Sequence, residues 1–333
     1  MTSAFICRFV LNKAELSFYQ KLAAGKDVNI LIVGDSISAG YGASDEAHRW
    51  PELFAEEIRN RYSVKVGLTN VSMDGNSSYA GIVRMMTLED GVDYDLVVLA
   101  YGQNDNKKYH FEVFYEALVR AAENKYPKAS VICILESSQK TYTQKIKTIQ
   151  EIAKHYELPT VDTIEPFTED YDSLTLDGCH PNDEGQAIYC SSVLKVVEPL
   201  VEASYGHDKK DVTVLSEDIR EFEEIKWYPV TDFVREGNTF VIKTEASFDV
   251  MGVDYEMDPD DNRFTVLIDG NEYVEVDEYF KYGFSQRRIF TINKWPKSDT
   301  FTVNDEIRIV FPDDEIGTQQ ADGFRGLTLN YHE

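Results

Sequence analysis

Five short apolar runs, "NILIVG", "VKVGLTNVS", "DLVVLAYG", "SVICILES" and "LPTVDT", recur between Lys26 and Ala203 with amphipathic stretches between them. Strands separated by helical segments cannot be joined as hairpins, so this rhythm predicts βαβ units and a parallel sheet covered on both faces. Phe111, Phe114, Leu118 and Ala121 share one helical face, as do Ile146, Ile149, Ala153 and Tyr156. A last helix after "HPNDEG" is expected to turn Ala187, Cys190, Leu194 and Val197 inward. Beyond "SYGHDKKD", Ser204–Asp211, the texture changes to strict alternation. "FTVLIDGNEYVEV" carries an Asp269-Gly270 turn between two strands, and "DEIRIVF" points Ile307, Ile309 and Phe311 to one side. The expected organisation is an α/β catalytic domain over residues 1–208 and an all-β, jelly-roll-like sandwich over residues 209–333. On this division the α/β part acts alone on small substrates, and the β part helps to hold larger ones.

Composition excludes several classes of function. Hydrophobic residues make up 43% of the 333, enough for real cores. With 59 acidic against 33 basic residues, the net charge of −26 repels phosphate backbones and anionic lipid, so neither nucleic acid nor membrane is an expected partner. Cys7, Cys133, Cys179 and Cys190 form no C-x-x-C pair, which points to reduced thiols rather than to a disulfide framework or a zinc knuckle. No apolar segment is long enough to cross a bilayer, and "MTSAFICRFVLNK" lacks a basic leader and a small-residue cleavage site; a cytoplasmic location is the expectation.

The first run continues as "ILIVGDSISAGYG", Ile30–Gly42. Asp35 and Ser36 could simply start a helix, since both are ordinary N-cap residues. They also lie just past the C-terminal end of a buried strand, where open α/β sheets bind ligands. Three more loops belong on the same sheet edge: "SMDGNSS" with Gly75, "YGQND" with Asn104, and "DGCHPND" with Asp177 and His180. Acyl transfer needs a hydroxyl, a base for its proton, a carboxylate that fixes the base's tautomer, and donors aimed at the oxyanion. This edge supplies them all. Ser36 is the candidate nucleophile, His180 the general base and then acid, and Asp177 its partner three residues away. The N–H groups of Ser36 and Gly75, with the Asn104 amide, are the candidate oxyanion hole.

Gly34-Asp35-Ser36, Gly75, Gly102-x-Asn104-Asp105 and Asp177-x-x-His180, in this order, resemble the four signature blocks of the GDSL/SGNH esterases and lipases over roughly the first 205 residues. The resemblance implies a flavodoxin-like three-layer sandwich with strand order 2-1-3-4-5. Two departures stand out. Asp74 precedes the oxyanion glycine, which puts negative charge beside the site and disfavours anionic substrates, and Gln103 replaces the family's frequent Thr. Ser38 stands where a G-x-S-x-G elbow needs its second glycine, which argues against an ordinary α/β-hydrolase.

Other features receive structural readings. His48, His110, His155, His207 and His332 lack partners at informative spacing, and Cys179 beside His180 makes a poor metal site because adjacent residues rarely close a tetrahedron. "DYEMDPDDN", Asp254–Asn262, imitates a calcium loop but lacks the central glycine, and reads as a solvated acidic turn. Tyr279, Phe280, Tyr282, Phe284 and Trp295 could stack on sugars, but core and interdomain packing is the stronger reading. No metal or cofactor is called for. The two-domain layout resembles that of carbohydrate O-acetylesterases, so the expected partner is a small-molecule or saccharide ester. A lysophospholipase or thioesterase is the alternative, and a non-catalytic carbohydrate-binding module a distant third.

Overall fold

The computed structural model describes residues 15–105, 110–206, 212–257, 262–277, 286–292 and 300–331. Its first part runs α1 (Phe18–Ala23), β1 (Val28–Gly34), α2 (Ser36–Ala39), α3 (Trp50–Tyr62), β2 (Val66–Asn70), α4 (Ser78–Met86), β3 (Leu96–Ala100), α5 (Phe111–Lys125), β4 (Ser130–Leu135), α6 (Gln144–His155), β5 (Thr160–Asp162) and α7 (Asp183–Glu202). The five strands are parallel, in the order β2-β1-β3-β4-β5 that the family resemblance implies. Strand alternation sends Leu31, Val33, Val97, Leu99 and Val131 towards α4, α5 and α6. Ile30, Ile32, Leu96, Val98 and Ile132 face α1, α3 and α7 instead. Burial on both faces is why β1, β3 and β4 read as apolar runs.

One helix face differs from expectation. In α7 Cys190, Leu194 and Val197 are inward, but Ala187 is exposed and Gln186 and Tyr189 take the buried positions. Gln186 is held inward because its Oε1 accepts the Trp50 N–H (3.0 Å) where α3 begins.

The second part comprises β6 (Glu224–Pro229), β7 (Val234–Glu236), β8 (Thr239–Lys243), β9 (Ala246–Phe248), β10 (Val250–Met257), β11 (Arg263–Ile268), β12 (Asn271–Asp277), β13 (Gln286–Thr291), β14 (Phe301–Val303), β15 (Glu306–Val310), α8 (Glu315–Asp322) and β16 (Phe324–Tyr331). Two antiparallel sheets, β13-β10-β16-β6 and β12-β11-β15-β8-β7, enclose a core that includes Val253, Tyr255, Phe264, Ile307, Ile309 and Phe311. Asp269 and Gly270 both have positive φ, 49° and 78°, as the tight hairpin between β11 and β12 requires.

The halves share apolar packing. Ile219, Phe222, Val250 and Ile289 join the cluster that contains α4 and α5, with the Phe222 ring 5.1 Å from that of Phe114. Buried Glu116 of α5 accepts the N–H groups of Leu215 (2.6 Å) and Ser216 (3.1 Å), tying down the chain as it enters the β half. The expected boundary at residues 208/209 falls outside the described residues. Among those described, no helix is long and apolar enough to cross a membrane.

Candidate active site

Strand β1 ends in a crowded place. A Cβ on Gly34 would stand 2.7 Å from Ser38 Oγ and 2.9 Å from the Ala100 carbonyl, so the chain passes there only as glycine. Asp35 Oδ1 then accepts the Ile37 N–H (3.0 Å) and starts α2, with Ser36 as its first residue. The helix-cap reading of Asp35 and the presentation of Ser36 are therefore the same event. Gly42, at φ +98°, lets this segment cross the second one closely, since a Cβ there would lie 2.4 Å from the Pro181 carbonyl. That second segment closes on itself through the Leu176 N–H to His180 carbonyl bond (2.8 Å), turning at Gly178 with φ +78°.

The crossing brings Ser36 Oγ to 2.9 Å from His180 Nε2, and His180 Nδ1 to 2.7 Å from Asp177 Oδ2. Asp177 Oδ1 also accepts the N–H groups of Cys179 (3.0 Å) and His180 (2.9 Å). Partial burial pushes the Asp177 carboxyl up, but the His180 N–H and imidazole outweigh it and hold Asp177 below the ordinary carboxylate range. An ionised Asp177 keeps the proton on Nδ1, leaving Nε2 free to accept one from Ser36. The ring of Tyr41 lies 4.4 Å from the imidazole, at the mouth of the site.

Gly75 lies in the loop between β2 and α4 with φ +67°, a conformation that favours glycine. Among the described residues, no hydrogen bond takes up the backbone N–H of Gly75 or of Ser36. Asn104, on the loop after β3, donates through Nδ2 to the Asn76 carbonyl (3.0 Å) and, over a longer distance, to Asp35 Oδ2 (3.3 Å). The longer bond is the one an incoming oxyanion could displace. Ser36, His180 and Asp177 thus form a continuous chain of contacts, while Asn104 and Gly75 connect to it through Asp35 and Asn76.

Three carboxyls are buried beneath these loops, Asp35, Asp105 and Glu136. Glu136 Oε2 accepts the Gln103 N–H (3.2 Å). Burial, reinforced by mutual repulsion, pushes Asp35 up to about 7 and Glu136 well above the ordinary carboxylate range. Asp105 is also raised by burial, even though it accepts the N–H (3.0 Å) and the hydroxyl of Ser78. One buried cation faces this group. Lys145 Nζ donates to the carbonyls of Gly102, Gln103 (3.3 Å) and Asp105 (3.1 Å), so it holds the loop that carries Asn104. Burial likewise raises Asp74, while the Arg49 charge pulls it back.

Sequence reasoning missed Asn76, Glu136 and Lys145. Glu136 left a trace, an acid at the end of the "SVICILE" run on the ligand-binding edge; a lysine on an amphipathic helix left none. Two of the set-aside features also need correction. Asp254 is not in a solvated turn: it is completely buried in β10 and bonded to Arg287 Nε (2.7 Å), while residues 258–261 lie outside the described residues. His48 does have a partner, Asp45 Oδ1 at 2.7 Å, on the exposed surface. The Cys179 thiol is pushed up to about 12 by burial, a poor state for a nucleophile. Among the described residues no group of three or more His, Cys, Asp or Glu could hold a metal ion. Tyr279, Phe280, Tyr282, Phe284, Trp295, Cys7, His207 and His332 lie outside the described residues.

Residues 32–188 match the model of the GDSL-like lipase/acylhydrolase family, which spans β1 and Ser36 through His180. Residues 32–188 are a GDSL-like lipase/acylhydrolase domain. Like other GDSL enzymes it is an ester hydrolase, and the family's four blocks are the loops described above. It is 28% identical over 191 residues, 54% of this chain and 87% of the relative, to thioesterase 1/protease 1/lysophospholipase L1 of Escherichia coli (strain K12). It is 32% identical over 90 residues, 27% of this chain and 44% of the relative, to an arylesterase of Vibrio mimicus. Both halves together superpose on the crystal structure of a two-domain esterase active on acetylated mannans, with a TM-score of 0.76 at 18% identity over 94% of each chain.

Proposed function

We propose that this GDSL enzyme removes short acyl groups, acetyl above all, from hydroxyls of a saccharide. Ser36 is the nucleophile, His180 carries its proton to the leaving alkoxide, and Asp177 holds the imidazole. The N–H groups of Ser36 and Gly75 and the Asn104 amide receive the oxyanion. The observation that carries this reading is the unbroken contact chain from Ser36 Oγ through His180 to Asp177 (2.9 and 2.7 Å) at the edge of the sheet. The reaction then follows in two steps. Ser36 Oγ bonds to the ester carbonyl as its proton passes to His180 Nε2, and collapse expels the sugar hydroxyl with that proton. Water, deprotonated by His180, next releases the acid and frees Ser36.

The acyl preference is supported by the residues around Ser36. The loops that carry Ser36, Gly75 and Asn104, "GDSISAGYG", "SMDGNSS" and "YGQND", are mainly small and polar and supply no long apolar run for an acyl chain. The saccharide is supported by the two-part architecture in common with the esterase active on acetylated mannans. The likeness to the E. coli thioesterase/lysophospholipase favours a second reading, with longer acyl chains. Each CH₂ buried in a fitted groove is worth about 0.8 kcal/mol, so that reading predicts kcat/KM rising several-fold per methylene. On soluble aryl esters we expect kcat/KM to fall from acetyl to butyryl and to be very small at octanoyl, with acetate released from acetylated oligosaccharides. A maximum at octanoyl would replace the acetyl-saccharide reading with the longer-chain one.

A further inference from the structure

Among the described residues, strand β13 is the edge of its sheet and pairs on one side only, with β10. Its outward peptide groups need partners, because exposed edges otherwise recruit foreign strands and buried ones cost a desolvated hydrogen bond. Among the described residues the partner is a side chain. Asn76, from the loop between β2 and α4, is completely buried; its Nδ2 donates to the Arg287 carbonyl (3.0 Å) and its Oδ1 accepts the Ile289 N–H (2.9 Å). One residue of a parallel strand likewise bonds, through its N–H and its C=O, the residues on either side of its opposite number, and here an amide side chain supplies both groups. The same Nδ2 also donates to the Asp74 carbonyl (2.8 Å), which closes the loop around Gly75.

Asn76 therefore stands at a junction. Its backbone is bonded covalently to Gly75, and its carbonyl accepts from the Asn104 side chain (3.0 Å). A shift of this residue moves two of the three oxyanion donors at once. We infer that Asn76 is a positioning residue through which the β half sets the geometry of the oxyanion hole, so that the β half is a working part of the active site rather than an appended one. The inference rests on the esterase reading above, and it reverses the expectation that the α/β part acts alone on small esters.

A second contact between the halves provides the control. Tyr79 of α4 is buried, and its hydroxyl meets Thr328 Oγ1 (2.9 Å) and Asn330 Oδ1 (2.8 Å) on β16, with no bond to residues 74–76. Tyr79→Phe removes these bonds and is expected to lower Tm while leaving kcat on aryl acetate within about twofold. Asn76→Ala is expected to lower kcat by roughly 10- to 100-fold, with KM changed only a few-fold, because donors displaced from the developing oxyanion weaken the transition state more than the ground state. Asn76→Asp keeps the shape and the acceptor for Ile289 but loses the donor to Arg287 and Asp74, so it should show the same split even if the alanine variant folds poorly.

The measurements are kcat, KM and Tm on the full-length chain, together with the rate of Ser36 labelling by a fluorophosphonate. Labelling should slow in both Asn76 variants and not in Tyr79→Phe. Folded Asn76 variants with unchanged kcat would overturn the inference. So would a loss of kcat that follows Tm equally in the Tyr79 and Asn76 variants, because that marks a merely structural bond. A wild-type chain that neither cleaves aryl acetate nor labels at Ser36 would remove the esterase reading itself, a different failure.

Discussion

In the β half, Asp254 is completely buried but meets Arg287 through two N–H groups, and Glu306 is held down to about 2 by Arg308 and Lys243. In the α/β half, Asp35, Asp105 and Glu136 are buried together with Lys145 as the cation among them, and all three are pushed up rather than down. The same residue types thus serve opposite ends. In the β sheets Asp254 and Glu306 meet cations that tie strands together. Beneath the candidate site the acids orient the amides of Ile37, Gln103 and Asn104, with Lys145 gathering the carbonyls of the loop. Acids buried without matching cations weaken a fold. Here the cost coincides with the loops that carry the candidate site.

The largest expected effect that tests this contrast is that of Lys145→Met. Removing the cation strips three carbonyls of their donor and leaves the acids uncompensated, so stability should fall by about 3–5 kcal/mol, and kcat with it. Arg308→Met, which breaks a partly exposed pair in the β half, should cost far less. Urea denaturation of both variants makes the comparison, and equal losses would end it.

Glu136→Gln should have an intermediate effect, of opposite sign. Carboxyls raised in the folded state keep protons that the unfolded chain has released, so between an unfolded pKa of about 4 and the folded value of about 7 at Asp35, stability declines as pH rises. Replacing Glu136 by a neutral amide removes much of that decline. Tm should rise by a few degrees at pH 8 and change little at pH 4. A lower Tm at pH 8 would show that the buried acid stabilises the fold.

The smallest effect belongs to the β hairpin. Asp269 is held down to about 2 by the N–H groups of Asn304, Glu306 and Asp305. A depressed carboxyl contributes stability above its unfolded pKa of about 4 and loses it as pH falls towards 2. Asp269→Asn should therefore lower the urea midpoint slightly at pH 7 and flatten its fall between pH 4 and pH 2. An unaltered acid limb would contradict this role.

The fold was legible where one physical rule dominated. Double burial made β1, β3 and β4 continuous apolar runs, and period-two alternation marked β11 and β15. Helix α8 escaped because alternation on either side of it hid a short helix capped by Asp314, whose Oδ1 accepts the Gly317 N–H (2.7 Å). At the candidate site, the Asp177–His180 contact could be read because the two lie three residues apart, whereas Ser36, 144 residues from His180, was placed by its position after β1. Asn76 could not, because its partners, Arg287 and Ile289, lie more than 200 residues away and offer only backbone atoms, which leave no mark on residue identity. Glu136 and Lys145 likewise act through contacts that the sequence does not place side by side.

The central claim is that acyl transfer proceeds through Ser36. Its most direct test is to treat the full-length chain with a fluorophosphonate and map the adduct by mass spectrometry, alongside Ser36→Ala. The account predicts one adduct, on Ser36, absent from the variant, whose kcat on aryl acetate should be at least about 10³-fold lower. An adduct on another residue, or a Ser36→Ala protein that turns over like wild type, would contradict it.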